Sequence, residues 1–320
     1  MEPELLGIHH VTAIASDPQQ NIDFYAGTLG LRLVKVTINY DDPGSYHFYY
    51  GDETGTPGSI ITFFAWPGGS RGRRGSGQAT ATSFAVPQGA LGYWRERLEA
   101  RGVNVESVTA RFAEEALTFY DPDGLQLELV AHPSADRRRP WTAGGAPEAQ
   151  AIRGFHSITL VERALERTDG ILTRTLGIQR VQSDRDRHRY LVGPPATAQI
   201  VDIVESAGSP PGRVAVGTVH HIAWRTPDDD NQRAWHGRIE RAGYGVSPVM
   251  DRQYFHSIYF REPGGVLFEI ATDPPGFTAD ESVEHLGAGL RLPEWLEPQR
   301  HQIEQILPPI RRPERLKEAN

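Results

Sequence analysis

The chain has 320 residues, a formal net charge of −8, 38% hydrophobic and 23% charged residues, and no cysteine. That composition fits a folded protein with a real core. The negative balance argues against a general affinity for nucleic acid or an anionic membrane. The missing cysteine removes disulfides, thiolate metal sites and cysteine nucleophiles. No apolar run is long enough to span a bilayer, and Met1–Glu4 does not open a basic-then-apolar leader, so a cytoplasmic location is expected.

Gly7–Ile14 alternates polar and apolar residues and predicts a strand. Asp17-Pro18 starts a short helix over Asn21–Thr28, and Gly30 ends it. Strands are expected at Arg32–Asn39, Tyr46–Tyr50 and Ser59–Trp66, with turns at Pro43-Gly44 and Pro57-Gly58. This β-α-β-β-β order recurs. A second copy has strand Ala79–Val86, helix Leu91–Ala100 and strands Val103–Phe112, Ala116–Tyr120 and Leu125–Ala131. A third opens at Phe155–Thr159, with a helix near Thr168–Leu176 and strands near Gln179–Ser183, Arg189–Val192 and Ala198–Glu205. The fourth opens at His220, with helix Asp230–Ala242 and strands Val246–Met250, Ser257–Arg261 and Val266–Ala271.

Local strings support the repeat. Thr28-Leu29-Gly30 matches Thr175-Leu176-Gly177, and Leu127-Glu128-Leu129 matches Phe268-Glu269-Ile270. A unit of this size exposes an apolar face and must pair with another copy. The expectation is an α+β protein of four βαβββ modules arranged as two two-module domains. Residues 1–135 would hold modules 7–66 and 78–132; residues 150–273 would hold modules 154–205 and 219–272. The break falls in Asp136–Ala149, which carries the basic run Arg137, Arg138, Arg139. Ser70–Gly77 is glycine-rich but lacks the spacing of a phosphate loop, and reads as a solvated linker. Residues 274–320 form a tail whose Trp295, Leu296, Ile303, Ile306 and Leu307 would pack on the body or on a partner, which permits a homodimer.

Two strands open with a double histidine, His9-His10 and His220-His221, and a lone carboxylate, Glu269, interrupts an apolar strand. Such groups seldom enter apolar strands without a partner or a task. Alternation puts His10 and Thr12 on one face and His9 and Val11 on the other; His221 and Ala223 likewise share a face. Assigned to one inner cavity, His10, His221 and Glu269 make a 2-His-1-carboxylate set, which holds Fe(II) on one face and leaves the other open. Zinc could take the same ligands, as in a lyase or hydrolase. A fainter echo comprises Thr82, Glu128 and His156, with Asp202 nearby, and reads as a degenerate site. Arg252 and Tyr259 are placed to fix an oxyanion or donate to an oxygen. His9, His220 and His256 are acid/base or structural candidates. Tyr254, Phe255, Phe48, Tyr50, Phe63 and Trp224 could form an aromatic wall or ordinary core.

The sequence resembles the vicinal oxygen chelate superfamily, which includes glyoxalase I, bleomycin-resistance proteins and extradiol dioxygenases, and more narrowly the ring-cleaving dioxygenases that act on hydroquinones. The strings that carry the resemblance include Gly7-Ile8-His9-His10-Val11-Thr12, Tyr46-His47-Phe48-Tyr49-Tyr50-Gly51, Val219-His220-His221-Ile222-Ala223, Asp251-Arg252-Gln253-Tyr254-Phe255, Leu267-Phe268-Glu269-Ile270-Ala271 and Leu292-Pro293-Glu294-Trp295. The resemblance implies the vicinal oxygen chelate fold and metal ligands His10, His221 and Glu269. It further implies active-site roles for His9, Thr12, Arg252 and Tyr259. The implied activity is a cytoplasmic Fe(II)-dependent (or Mn(II)-dependent) dioxygenase acting with O₂ on a small hydroquinone- or catechol-type ring. A proton donor, His9 or Tyr259, would promote ring opening. The rival readings are a glyoxalase-like lyase or isomerase, with zinc or nickel, and a non-catalytic protein that binds aromatic ligands.

Overall fold

The structure, a computed structural model, describes residues 2–313 apart from 134, 136, 137 and 196. The first module holds β1 (Gly7–Ala15), β2 (Arg32–Asn39), β3 (Asp42–Gly51) and β4 (Ile60–Ala65). The second holds β5 (Gln78–Val86), β6 (Thr109–Arg111), β7 (Glu114–Tyr120) and β8 (Gln126–Ala131). The third holds β9 (Phe155–Glu162), β10 (Gln179–Asp184), β11 (Arg187–Val192) and β12 (Gln199–Glu205). The fourth holds β13 (Val219–Thr226), β14 (Met250–Asp251), β15 (Phe255–Arg261) and β16 (Leu267–Pro275). Each module has one helix after its first strand: α1 (Pro18–Ile22), α2 (Leu91–Glu99), α3 (Leu165–Gly170) and α4 (Asp229–Arg241). Asp17 and Asp228 cap α1 and α4 by accepting from backbone N–H groups in the first turn. In the first and third modules the helix runs on into a π-helical turn, Asp23–Thr28 and Ile171–Thr175. The expected helices therefore begin earlier and change pitch midway.

The strands form two eight-stranded sheets. One runs β14-β15-β16-β13-β1-β4-β3-β2, and the other β10-β11-β12-β9-β5-β8-β7-β6. Each sheet thus joins one module from the first half of the chain to one from the second. Sheet pairing links first with fourth and second with third, so residues 1–135 and 150–273 are not each a sheet of their own. The seams are the antiparallel pairs β1–β13 and β5–β9, both formed by modules' opening strands.

The long strands expected at Val103–Phe112 and Val246–Met250 shrink to β6 and β14, with single bridges at Val105 and Val246. These segments lie at the outer edges, where no further strand offers a ladder, and Phe112 and Ala113 turn the chain through φ of 48° and 64°. The Ser70–Gly77 segment is a linker as read, but it pairs with residues 211–216 through bridges at Arg71, Arg73 and Ser76. Gly75 is required there, because a Cβ would sit 2.2 Å from the Pro210 carbonyl oxygen. In the expected break, Asp136 and Arg137 lie outside the described residues; Arg138 donates to the carbonyls of Arg153 and Phe155.

The tail packs on the body. Leu292, Leu296, Ile303 and Leu307 are buried, whereas Trp295 and Ile306 are exposed. A fully buried Lys35 ties β2 to this strap through Asp280, at 2.6 Å, and Glu281, at 2.5 Å. Asp280 also accepts from Tyr254 and Gln253, which flank the turn that carries Arg252.

Candidate metal centre

Strand register builds the site. Across the seam Thr12 faces His221, and His10 faces Ala223. Ala223 is in turn level with Glu269 on β16, and Glu269 with Tyr259 on β15. His10, His221, Glu269 and Tyr259 therefore share the concave face. His10 Nε2 lies 3.3 Å from His221 Nε2 and 3.3 Å from Glu269 Oε2; His221 Nε2 lies 2.9 Å from the same oxygen. All three side chains are buried.

The two double histidines depart from simple alternation. The ladder between β1 and β13 skips His9 on one strand and His220 on the other, so each occupies a β-bulge. A bulge leaves one residue unpaired and re-aims its side chain. His220 consequently lines the cavity beside His221. His9 turns to place its Nδ1 2.9 Å from His10 Nδ1, and His220 Nδ1 is 2.7 Å from His221 Nδ1. The expectation that His9 points to the opposite face from His10 is corrected by this bulge.

These contacts leave the Nε2 atoms of His10 and His221 converging on one carboxylate oxygen. Glu269 Oε1 accepts from Ser257, whereas Glu269 Oε2 is buried and has no hydrogen-bond partner. Buried carboxylate oxygens without partners are costly. A cation on the two imidazoles and this oxygen removes the cost, and the bulge histidines then accept the Nδ1 protons of the two ligands, as partners of metal-bound imidazoles do. The residues present fit a metal, and the three form a divalent-metal-binding triad.

Electrostatics agree. Burial, and then His10, holds His9 well below the ordinary imidazole range. Burial, then His221, pushes His220 down to about 3. Burial also lowers His221, against the pull of Glu269. For Glu269, burial opposes the charge, but His10 and His221 outweigh it and hold the carboxyl well below its usual range. The triad thus presents an ionised carboxylate and, at His221, an imidazole held below its ordinary range.

Above the triad lies a cavity of about 290 Å³, walled by His47, Tyr49, Phe64, Trp66, Phe255 and Leu267, with Tyr40, Asn39 and Asp41 at the β2 side. Arg252 Nε donates to the Tyr259 hydroxyl at 3.1 Å, and its Nη2 lies 3.2 Å from Asp41. Burial, then Glu269, keeps Tyr259 protonated well beyond the ordinary phenol range. Thr12 is buried behind the wall, its Oγ1 2.9 Å from Thr62 Oγ1. Of the six aromatic wall candidates only Phe255 lines the cavity. Phe48, Tyr50, Phe63 and Trp224 are core, because register pairs Phe48 with Phe63 on the face opposite Thr62. Tyr254 is fully buried under the tail. His256 leaves the site and meets Asp229 at 2.7 Å. Sequence reasoning passed over His47 and Tyr49 as cavity residues; their strand, already one of the quoted strings, and its parity were the available signal.

The echo in the second sheet is filled by arginine. Register puts Glu128 and Asp202 at the Glu269 position, level with Ser83 and Thr159. Two residues before these stand Ala81 and Ser157, so the histidine positions are empty of histidine. The ladder skips His156, which makes it the counterpart of the bulge residue His220 rather than of His221. Arg111 binds Glu128, and Arg187 and Arg189 bind Asp202. His156, His132 and Glu114 form a second cluster, but Glu114 already accepts from Arg189 at 2.6 Å. Thr82 contributes no contact there and its hydroxyl has no partner.

A family model described as the Glyoxalase/Bleomycin resistance protein/Dioxygenase superfamily matches residues 7–129 and 154–270. The chain belongs to this superfamily. Among its relatives, MhqO of Bacillus subtilis, named as a ring-cleaving dioxygenase, is 48% identical over 97% of this chain and 98% of its own length. The chlorohydroquinone/hydroquinone 1,2-dioxygenase of Sphingobium indicum is 38% identical over 91% of this chain and 92% of its own length. A crystal structure of a Bacillus subtilis protein assigned as a dioxygenase superposes with a TM-score of 0.93 at 47% identity, covering 98% of this chain and 99% of that one. Glyoxalase I of Zea mays shares the superfamily fold, with a TM-score of 0.61 at 15% identity. No described helix is long and apolar enough to cross a membrane.

Proposed function

We propose that this superfamily member is an Fe(II)-dependent dioxygenase that opens the ring of a hydroquinone- or catechol-type substrate with O₂. One observation carries the reading: a partnerless buried carboxylate oxygen between two imidazole Nε2 atoms, at the foot of a cavity sized for one substituted ring. Ferrous iron held by His10, His221 and Glu269 supplies the one-electron chemistry that O₂ needs and no side chain can provide.

The chain's own groups have separable tasks. Phe255 and Phe64 hold the ring and exclude water. Arg252 lies within hydrogen-bond reach of Tyr259, so its charge favours a substrate oxyanion and orients the phenol as a donor to it. His9 and His220 hold the ligand imidazoles in one tautomer. His220, neutral and accepting the His221 proton at Nδ1, keeps its own proton on Nε2 at the cavity wall, where it can donate to a substrate oxygen. Thr12 acts from behind the wall. The names of the relatives, which specify ring cleavage and hydroquinone, support the substrate class.

The test is oxygen consumption by ferrous-loaded protein given hydroquinones and catechols. Uptake with ring-opened product is expected, and its loss with iron content in His10→Ala. Full activity in that variant refutes the site. Metal-dependent isomerisation of a thiol adduct without oxygen uptake would place the protein with the lyases.

A further inference from the structure

Two cavity-wall residues have no part in the chemistry above. His47 and Tyr49 stand on β3, and register sets them level with Phe64 and Thr62 of β4, on the face of the metal triad. Tyr49 Oη lies 3.0 Å from His47 Nδ1, His47 Nε2 lies 2.8 Å from Thr62 Oγ1, and Thr62 Oγ1 lies 2.9 Å from Thr12 Oγ1. The four side chains form one hydrogen-bonded row that ends at Thr12, directly across the seam from His221.

Each link holds one proton, so the row has a direction. Thr12 is fully buried, does not line the cavity, and has Thr62 as its hydroxyl's partner. Its proton must go to Thr62, since a buried donor without an acceptor bears the full desolvation penalty. Thr62 then gives its own proton to His47 Nε2. Burial, followed by the neighbouring His10, keeps His47 neutral, so it carries a single proton. That proton sits on Nδ1 and is donated to the Tyr49 oxygen. Burial keeps Tyr49 a phenol, and the rings of Tyr254, Phe255 and Phe277 around it hold its plane. The Tyr49 hydroxyl proton is the one left without a partner in the row, and Tyr49 is the end of the row that faces the cavity. The opposite direction would strand the Thr12 proton in the core.

We propose that Tyr49 donates a hydrogen bond to an oxygen substituent of the bound ring, and that Thr12, Thr62 and His47 are positioning residues that enforce this direction. The identity of the ligand rests on the ring-cleavage reading; the direction of the row does not. The proposal also gives Thr12 its task without contact with substrate.

The test uses full-length Zn(II)-loaded protein, which keeps the three ligands and does not turn over. Nitrogen-15 NMR of His47 is expected to place the proton on Nδ1; a proton on Nε2 overturns the row. Calorimetric titration with hydroquinone is expected to show about tenfold weaker binding in Tyr49→Phe, the loss of one net hydrogen bond to a charged or polarised oxygen. Thr62→Val, which releases the His47 tautomer, is expected to weaken binding by about threefold in the wild-type background, given that tenfold ceiling, and not at all in Tyr49→Phe. Wild-type affinity in Tyr49→Phe, or a Thr62→Val effect that persists without the Tyr49 hydroxyl, overturns the proposal. If wild-type protein binds no hydroquinone, the ring-cleavage reading fails, and the His47 tautomer alone decides the row: Nδ1 protonation supports it and Nε2 protonation overturns it.

Discussion

Replacing Glu269 with Gln separates a metal ligand from a structural ion-pair partner, because the two roles predict opposite effects on the metal-free protein. Glu269 is fully buried, its Oε2 has no hydrogen-bond partner, and its Oε1 accepts from Ser257. At pH 8 burial keeps His221 uncharged, so the imidazole nearest Oε2, at 2.9 Å, brings no cation to the carboxylate. A glutamine keeps the Ser257 contact and volume but removes the charge. Relief of an unsatisfied buried acceptor is worth about 1–3 kcal/mol, so the apo variant should be more stable than wild type by that order. The loaded protein should behave oppositely. Losing one partner of a buried charge pair costs about 3–5 kcal/mol, which at about 1.4 kcal/mol per decade weakens divalent-metal affinity between a hundredfold and a few thousandfold. Chelator competition measures the affinity, and calorimetry of the chelator-stripped protein measures the stability. An apo variant less stable than wild type, or one with unchanged metal affinity, would refute the reasoning.

Three further outcomes are expected. His9→Ala removes the acceptor of the His10 Nδ1 proton and should weaken metal binding by roughly 10–100-fold with little change in cavity shape; chelator competition checks it. Lys35→Met removes the fully buried ammonium between Asp280 and Glu281, leaving Glu281 only Arg291 and Asp280 only the neutral donors Tyr254 and Gln253, and should cost about 3–5 kcal/mol in urea unfolding. It should also loosen the turn carrying Arg252, seen as faster amide exchange at Gln253 and Tyr254. Glu162, packed against Gly264 where a Cβ would fall 2.0 Å from its carboxylate, is raised from 4.5 to about 8, first by burial and then by Glu262. A carboxyl raised in the folded state binds its proton more tightly there, so its contribution is complete below pH 4.5 and is lost as pH climbs to 8. Glu162→Gln should therefore raise the melting temperature at pH 8.5 and leave it nearly unchanged at pH 5. An equal shift at both would exclude titration as the cause.

The fourfold module and the candidate ligand set rest on local properties, and both were legible in the chain. Period-two alternation, turn residues at fixed intervals, and charge-capable side chains inside apolar strands are all written in adjacent residues. Reading His10, His221 and Glu269 together needed only the repeat and the parity of strands. Phe48 and Phe63 were left open between wall and core, and the choice was decided only by register, which places Thr62 rather than Phe63 opposite Tyr49.

Three matters were decided only by tertiary structure. Which modules share a sheet depends on which seam forms, and four similar apolar faces do not encode the pairing of first with fourth. The bulges at His9 and His220 insert one residue against the partner strand, so the orientation of each histidine depends on its neighbour strand rather than on its own sequence. The second sheet shows the same dependence. Glu128 and Asp202 look like ligands in the chain, yet Arg111, Arg187 and Arg189 arrive from other strands and supply the positive charge that a metal would supply in the first sheet. Ligand types are a property of sequence; whether a cation or a guanidinium meets them is settled by which strands come to lie alongside.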